Sequence, residues 1–91
     1  MPPILNADAG EILIYDPIVD DRGWSDGVTP KDVRQALAAL KDRDVTLRIN
    51  SPGGSVFAGS AIYALLQEHG HDVHVKIDGL AASFASYLAM V

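Results

Sequence analysis

The segment that most constrains this chain runs from Ile49 to Val56 and reads Ile-Asn-Ser-Pro-Gly-Gly-Ser-Val. Glycine adopts backbone conformations with positive φ that other residues avoid, and it allows other groups to approach the main chain closely. The adjacent glycines, Gly53 and Gly54, follow an apolar strand pattern and precede a helix pattern. Their free N–H groups therefore lie at the positive end of a helix dipole, which favours a developing negative charge. We interpret this turn as one half of an oxyanion hole.

The segment 79–83, Gly-Leu-Ala-Ala-Ser, has the same setting, because it follows a predicted strand and precedes a predicted helix. Small residues at 79, 81 and 82 leave room for a substrate backbone beside Ser83. If the strands that lead into the two motifs are parallel neighbours, both motifs lie at one edge of the sheet, where α/β proteins bind ligands. The two motifs would then face one cleft, with Ser83 as the candidate nucleophile.

The rest of the chain alternates between strand patterns and helix patterns. Short apolar runs bounded by turn residues predict three strands, at Glu11–Tyr15, Val45–Ile49 and Val73–Ile77. Apolar residues at helical spacing predict three helices, at about 30–41, 56–69 and 83–90. The order β-α-β-α-β-α predicts an α/β fold with a parallel sheet and right-handed crossovers. We expect residues 1–10, which contain two prolines and a turn, to form an N-terminal arm ahead of one domain over 11–91.

Several helix boundaries carry their own sequence signals. Thr29 can cap the first helix, Pro30 suits its first position, and Asp32 places negative charge in its first turn. The pair His69-Gly70 predicts a glycine C-cap at the end of the second helix.

Composition excludes several classes of function. The chain has 91 residues, of which 48% are apolar, so it is globular and has room for one small core. A net charge of −5 disfavours nucleic acid or an anionic membrane as partner. No signal peptide is apparent, and the apolar run 79–91 is shorter than the roughly 20 residues that span a bilayer. The sequence contains no cysteine, no Gly-Lys-Ser/Thr loop and no spaced His/Cys cluster, so we expect no metal or cofactor. We also expect a soluble, cytoplasmic protein.

Together, segments 49–54, 61–63 and 79–83 resemble the proteolytic subunit of Clp protease, a serine peptidase family. The amino-acid sequences of segments 27–29 and 78–83 are more similar to the Clp-like head maturation proteases of tailed phages and prophages. The resemblance covers about 11–91 and implies the fold type shared by Clp protease and crotonase, here truncated to its N-terminal portion.

The resemblance also implies roles for named residues. The serine in the position of Ser83 attacks the scissile peptide carbonyl, and the backbone amides of Gly54 and Phe84 hold the oxyanion. Each such donor stabilises the transition state by roughly 3 kcal/mol. Ser51, Ser55 and Ser86 are the alternative serines, and we expect all three to be structural.

A serine nucleophile needs a base, normally a histidine oriented by a carboxylate. In the resembling family both come from the chain after the nucleophile, whereas this sequence stops eight residues beyond Ser83. His69 and His71 precede the third strand, which separates them from Ser83 by roughly 20 Å, and His74 lies early in that strand. We expect these histidines at the surface and Asp78 capping a helix or facing solvent. The 91 residues are therefore expected to be a fragment that is inactive alone.

Other functions and partners follow from the same resemblance. The alternatives to a serine endopeptidase are a non-catalytic scaffold or assembly subunit, a crotonase-type acyl-CoA enzyme and a serine–lysine signal peptide peptidase. The Clp resemblance implies a homo-oligomeric ring that acts on polypeptides with an unfoldase ATPase. The phage-type resemblance implies cleavage of capsid or scaffold proteins instead.

Overall fold

In the part of the chain that the structure describes, four strands form one sheet and two helices pack on one of its faces. The computed structural model of the chain describes residues 4–20, 27–81, 88, 90 and 91. Within these ranges the elements in chain order are β1 (Leu5–Asn6), β2 (Glu11–Ile14), α1 (Pro30–Ala39), β3 (Val45–Ser51), α2 (Val56–Gln67) and β4 (Val73–Ala81). The predicted α/β class agrees with this mixed architecture.

The sheet has the order β1-β2-β3-β4, and its last three strands run parallel. Each parallel pair is joined by one helix, as parallel neighbours require a long crossover. The sheet is not purely parallel, because β1 pairs antiparallel with β2 through Leu5 and Ile12. A tight turn explains this pairing, since Gly10 has a φ of 68° and its N–H bonds to the Ala7 carbonyl at 3.1 Å. Only antiparallel strands can be joined by so short a connection. The expected all-parallel sheet is wrong in this one strand.

One hydrophobic core lies between the sheet and the two helices. Alternate residues of β2 and β3 are buried, as expected when one face of a strand meets the helices. The fully buried apolar residues of the sheet are Ile12, Ile14, Val45, Leu47 and Ile49. The side chains that pack against them come from α1, α2 and the adjoining segments. They are Val33, Ala36, Leu37, Leu40, Ala58, Ile62, Leu66, Ile18, Val28 and Leu88.

The start of α1 confirms the predicted cap. Thr29 Oγ1 accepts the Asp32 N–H at 3.1 Å, and an Asp32 carboxylate oxygen accepts the Thr29 N–H at 3.0 Å. Pro30 occupies the first helical position, where its missing N–H costs nothing. Both cap residues are buried, so this reciprocal pair satisfies two backbone donors that water cannot reach.

The end of α2 differs from the prediction. Glu68 is the C-cap and has right-handed helical angles, and Gly70 does not have positive φ. The Glu68 N–H bonds to the Ala64 carbonyl and the His69 N–H to the Leu66 carbonyl, so the last carbonyls find partners without a left-handed residue. The predicted glycine C-cap is therefore wrong.

The remaining boundaries shift by a few residues. The two helices end two residues earlier than predicted, at Ala39 and Gln67, while β3 and β4 continue to Ser51 and Ala81. The strands are longer because Ser51 and Ala81 pair with each other beyond the apolar runs. The predicted last helix falls mostly outside the described residues. No helix in the described part of the chain is long and apolar enough to cross a membrane.

Replacing Thr29 by alanine removes the side chain that caps α1, and we expect it to lower the free energy of unfolding by about 1 kcal/mol. Urea denaturation followed by circular dichroism measures the change. Ser60→Ala, at an exposed position inside α2, is the control and should leave stability the same or slightly higher. Equal effects of the two substitutions would contradict the capping role of Thr29.

Candidate active site

The glycine turn between β3 and α2 has the backbone conformation that the sequence predicts. Gly53 has a φ of 96° and Gly54 a φ of 151°, both in the region that side chains with a Cβ rarely adopt. A Cβ placed on Gly54 would lie 2.0 Å from the carbonyl oxygen of Ile18. The space that glycine keeps open on this side is therefore filled by the protein's own main chain.

Two hydrogen bonds fix Ile18 against the turn. The Ile18 N–H donates to the Gly53 carbonyl at 2.8 Å, and the Ser55 N–H donates to the Ile18 carbonyl at 2.9 Å. Ile18 also forms a parallel bridge with Val28 and is buried in the core. The segment after β2 thus holds the glycine turn from one side through main-chain hydrogen bonds.

The N–H group of Gly54 is the candidate oxyanion donor. Gly54 is exposed, and its N–H has no hydrogen-bond partner within the described residues. A fixed, solvent-facing N–H at the start of a helix is what stabilisation of an oxyanion requires. Its catalytic use stays a prediction.

The two serines that flank the glycines are occupied in holding the turn, in agreement with the structural role predicted for them. Ser51 is fully buried, donates to the Asp16 carbonyl at 2.8 Å and accepts the Gly53 N–H at 3.1 Å. Ser55 caps α2 by accepting the Ala58 N–H, and its hydroxyl donates to an Asp20 carboxylate oxygen.

The carboxyl ends of β3 and β4 meet at one edge of the sheet, as predicted for the two motifs. Between Ile49 and Ser51, β3 advances by two residues, whereas β4 advances by four from Ile77 to Ala81. Two extra residues of β4 therefore bulge beside Asn50. Bulges of this kind often lie next to active sites, where they re-aim the chain. This bulge immediately precedes Ala82 and Ser83.

Asp78 lies in the bulge and is held by charged partners, so the expectation that it caps a helix or faces solvent is wrong. Arg48 donates to both carboxylate oxygens of Asp78, at 2.7 and 2.8 Å. The Tyr15 hydroxyl also donates to Asp78, and Arg48 reaches a Glu11 carboxylate oxygen at 3.2 Å. The Asp78 side chain is only 14% exposed. This network ties β2, β3 and β4 together on the sheet face opposite the helices.

The network also shifts the ionisation of its members. The hydrogen bonds from Arg48, and then the one from Tyr15, lower the pKa of Asp78 from 3.8 to about 2. The hydrogen bond to Asp78 raises the pKa of Tyr15. Sequence reasoning missed this network, although Glu11 and Arg48 occupy the alternate strand positions that face away from the apolar core. Tyr15 follows β2 directly and is exposed.

No histidine of the chain lies near the glycine turn. His74 pairs with Thr46 at the start of β3, at the amino end of the sheet, and His69 and His71 precede β4. His71 and His74 are exposed, whereas His69 is half-buried and its Nε2 contacts the Arg43 carbonyl at 2.8 Å. The three histidines therefore lie at the opposite edge from the candidate site. This agrees with the expectation that they do not serve Ser83.

Ser83, Phe84 and Ser86 lie outside the described residues. The roles predicted for Ser83 as nucleophile and for Phe84 as second oxyanion donor stay predictions. Within the described residues, one group of side chains could hold a metal ion, namely Asp44, Asp72 and His74 at the amino end of the sheet.

Comparison with known proteins identifies the family. The family model for Clp protease matches residues 9–91. The chain belongs to the Clp protease family. The chain is 39% identical over 89 residues to "ATP-dependent Clp protease proteolytic subunit 1" of Streptomyces coelicolor, covering 93% of the chain and 38% of that protein. It is 54% identical over 48 residues to "ATP-dependent Clp protease proteolytic subunit 2" of Thermobifida fusca, covering 53% of the chain and 24% of that protein.

The family membership confirms the resemblance drawn from the two glycine motifs. The chain spans less than two fifths of the length of either relative, so the activity of the whole protein is a matter for proposal. The closeness to phage head maturation proteases stays a prediction, since both of these relatives are bacterial Clp subunits.

Gly54→Ala in this Clp protease chain would force a Cβ into the Ile18 carbonyl oxygen and impose a disfavoured φ. We expect the free energy of unfolding to fall by more than about 2 kcal/mol. Gly70→Ala is the matched control, because its Cβ would meet nothing within 4 Å, and stability should be unchanged or slightly higher. Urea denaturation of both variants tests this, and a Gly54→Ala chain as stable as the control would show that the turn adapts freely.

Asp78→Asn removes the carboxylate that Arg48 holds ionised. A carboxyl group with a lowered folded-state pKa contributes stability above its unfolded pKa, and this contribution is lost as the pH falls toward the folded value. The stability difference between wild type and Asp78→Asn should therefore be full at pH 5 and shrink between pH 3.8 and about 2. Urea unfolding at several pH values measures it. Asp42→Asn is the control at an exposed position, and its free energy of unfolding should stay close to that of the wild type. If the difference between wild type and Asp78→Asn did not change with pH, the ion pair would be contradicted.

Proposed function

We propose that this chain carries the nucleophile and the oxyanion hole of a serine endopeptidase of the Clp type. Ser83 is the nucleophile, and the N–H groups of Gly54 and Phe84 bind the oxyanion. The observation that supports this most directly is the pairing of Ser51 with Ala81 at the carboxyl edge of the sheet. Ser51 precedes Gly54 by three residues, and Ala81 precedes Ser83 by two, so the two motifs leave the sheet side by side.

In the proposed reaction the Ser83 hydroxyl attacks the carbonyl carbon of the scissile peptide bond, and its proton passes to a histidine base. The carbonyl oxygen becomes an oxyanion that the two amides stabilise. The tetrahedral intermediate expels the amine, which takes up the proton from the histidine, and water then hydrolyses the acyl-enzyme. The chain contributes the nucleophile and the oxyanion hole to this machinery.

The glycine turn suits this role because it is held before the reaction begins. Ser51 binds the Gly53 N–H, and the Ile18 main chain bonds on both sides of Gly54. Preorganised donors pay no reorganisation cost when charge develops, and each contributes roughly 3 kcal/mol to the lowering of the barrier. We therefore assign the rigid Ile18 contact to catalysis as well as to folding.

The base is proposed to come from outside these 91 residues. The three histidines lie at the amino end of the sheet, the length of β4 away from the proposed site. Asp78 is occupied by Arg48 and is not free to accept the Ser83 proton. We propose that the 91-residue chain alone is inactive and that the full-length protein supplies the histidine and its carboxylate.

We also propose that the protein cleaves polypeptides in the cytoplasm, as a ring of identical subunits working with an unfoldase ATPase. Both relatives are named as subunits of an ATP-dependent protease. Large apolar side chains near the proposed site are exposed, among them Phe57 at 84%, Val56 at 62% and Ile77 at 52%. Exposed apolar groups of this size mark surfaces that bind other chains, whether substrate or neighbouring subunits.

Ser83→Ala in the full-length protein should abolish labelling by a fluorophosphonate probe and reduce hydrolysis of an unfolded polypeptide to background, because the attacking oxygen is gone. The 91-residue chain with Ser83 intact should give no burst from an activated ester. Mass spectrometry of the labelled protein identifies the modified residue.

Ser60→Ala, at an exposed position on α2, is the control and should keep full labelling. Label on another serine, or unchanged hydrolysis by Ser83→Ala, would refute the assignment of Ser83. A burst from the 91-residue chain would instead refute the claim that the base lies elsewhere.

A further inference from the structure

The amino ends of β3 and β4 bring together side chains that are distant in sequence. The Val45 N–H donates to the Asp72 carbonyl at 2.9 Å. Asp44, the residue before β3, therefore lies beside the connection from α2 to β4. Asp44, Asp72 and His74 each offer one ligand atom, and these atoms lie within 4.8 Å of one another. His71 adds a second imidazole, whose Nδ1 is 3.9 Å from an Asp44 carboxylate oxygen.

We infer that Asp44, Asp72 and His74, with His71 as a fourth donor, bind one transition-metal dication of the Zn²⁺ type. Carboxylate oxygen and imidazole nitrogen are ligands that Zn²⁺ accepts, usually four at a time in a tetrahedron. The imidazole favours Zn²⁺ over Mg²⁺ or Ca²⁺, which prefer oxygen ligands alone. This site lies at the opposite edge of the sheet from the proposed active site and does not depend on the proposed function.

For Asp44, Asp72 and His74 the geometry needs only a small closure of side chains, whereas His71 lies outside this group of three and must move further to become the fourth donor. Two ligands of a tetrahedral Zn²⁺ ion at about 2.1 Å from the metal are separated by about 3.4 Å. His74 Nε2 is already 4.0 Å from an Asp44 carboxylate oxygen. Asp44, Asp72 and His74 are exposed, so their side chains can rotate by this amount without disturbing the core. One Asp44 oxygen is oriented by the Asp72 N–H at 3.1 Å.

The surrounding charges favour a cation in this position. Arg43 is adjacent in sequence, but its guanidinium donates to the Ala7 carbonyl and lies against Gly10. It therefore does not take the place of a metal beside Asp44. An open pocket of about 400 Å³ borders the site on one side, where it is lined by His71, Asp72 and His74 but not by Asp44.

Binding here would join the start of β3 to the connection that leads into β4. An ion that binds the folded chain and not the unfolded chain stabilises it by mass action. Zn²⁺ would thus act as a structural clamp on the amino edge of the parallel sheet.

The test is isothermal titration of the untagged, full-length protein with ZnCl₂ after treatment with a chelator. We expect one Zn²⁺ per chain, and at least about tenfold weaker binding to Asp44→Asn and to His74→Gln. The asparagine keeps an oxygen for the Asp72 N–H, so the loop should stay folded. Zn²⁺ should raise the unfolding temperature of the wild type and leave that of both variants unchanged.

Two matched controls accompany these variants. Asp42→Asn removes an exposed carboxylate two residues from Asp44, and His69→Gln removes an imidazole whose Nε2 already contacts the Arg43 carbonyl. Both should bind Zn²⁺ like the wild type. The absence of binding at millimolar Zn²⁺, or equal affinity in Asp44→Asn, His74→Gln and the controls, would overturn the inference.

Discussion

The contact between the Ile18 main chain and Gly54 is the interaction on which the candidate site depends. It needs a residue without a Cβ, because any side chain at 54 would overlap the Ile18 carbonyl oxygen. Ile18 forms hydrogen bonds to Gly53 and Ser55, the two neighbours of Gly54, and because Ile18 is buried it connects the turn to the core. The Gly54 N–H is then left without a partner among the described residues, whereas the N–H groups of Gly53 and Ser55 on either side are bonded. A flexible loop in its place would have to order itself around each oxyanion, and part of the stabilisation would be lost.

A second constraint acts on the neighbouring strand. The bulge in β4 interrupts the regular pairing of β3 with β4 in the stretch of β3 from Ile49 to Ser51. Such an interruption leaves residues without their partners in the hydrogen-bond ladder. Arg48 offsets this by holding Asp78 with two hydrogen bonds from the adjacent strand. Because Glu11 of β2 and Tyr15, the residue directly after β2, join this network, the position of the bulge is set by contacts with both neighbouring segments. The chain that continues toward Ser83 therefore leaves the sheet from a defined place.

The two edges of the parallel sheet have different chemistry. The carboxyl edge carries backbone donors, glycines and exposed apolar side chains, which suit a polypeptide and a developing oxyanion. The amino edge carries carboxylates and imidazoles, which suit a cation. The histidines, the usual bases for a serine, are all at the second edge, so the proposed protease must take its base from another part of the protein.

The sequence alone determined the strand and helix order from β2 to β4, the role of Thr29 as helix cap and the positive φ of the two glycines. Each of these depends on neighbouring residues, so a local pattern is enough to predict it. The sequence also carried enough of the two motifs to identify the Clp protease family. It did not determine the antiparallel β1, the Arg48–Asp78 ion pair, the bulge in β4, the close approach of Ile18 to Gly54 or the meeting of Asp44 with His74. These features join residues about 30 or more positions apart, or result from pairing between strands, and only the tertiary structure brings such groups together.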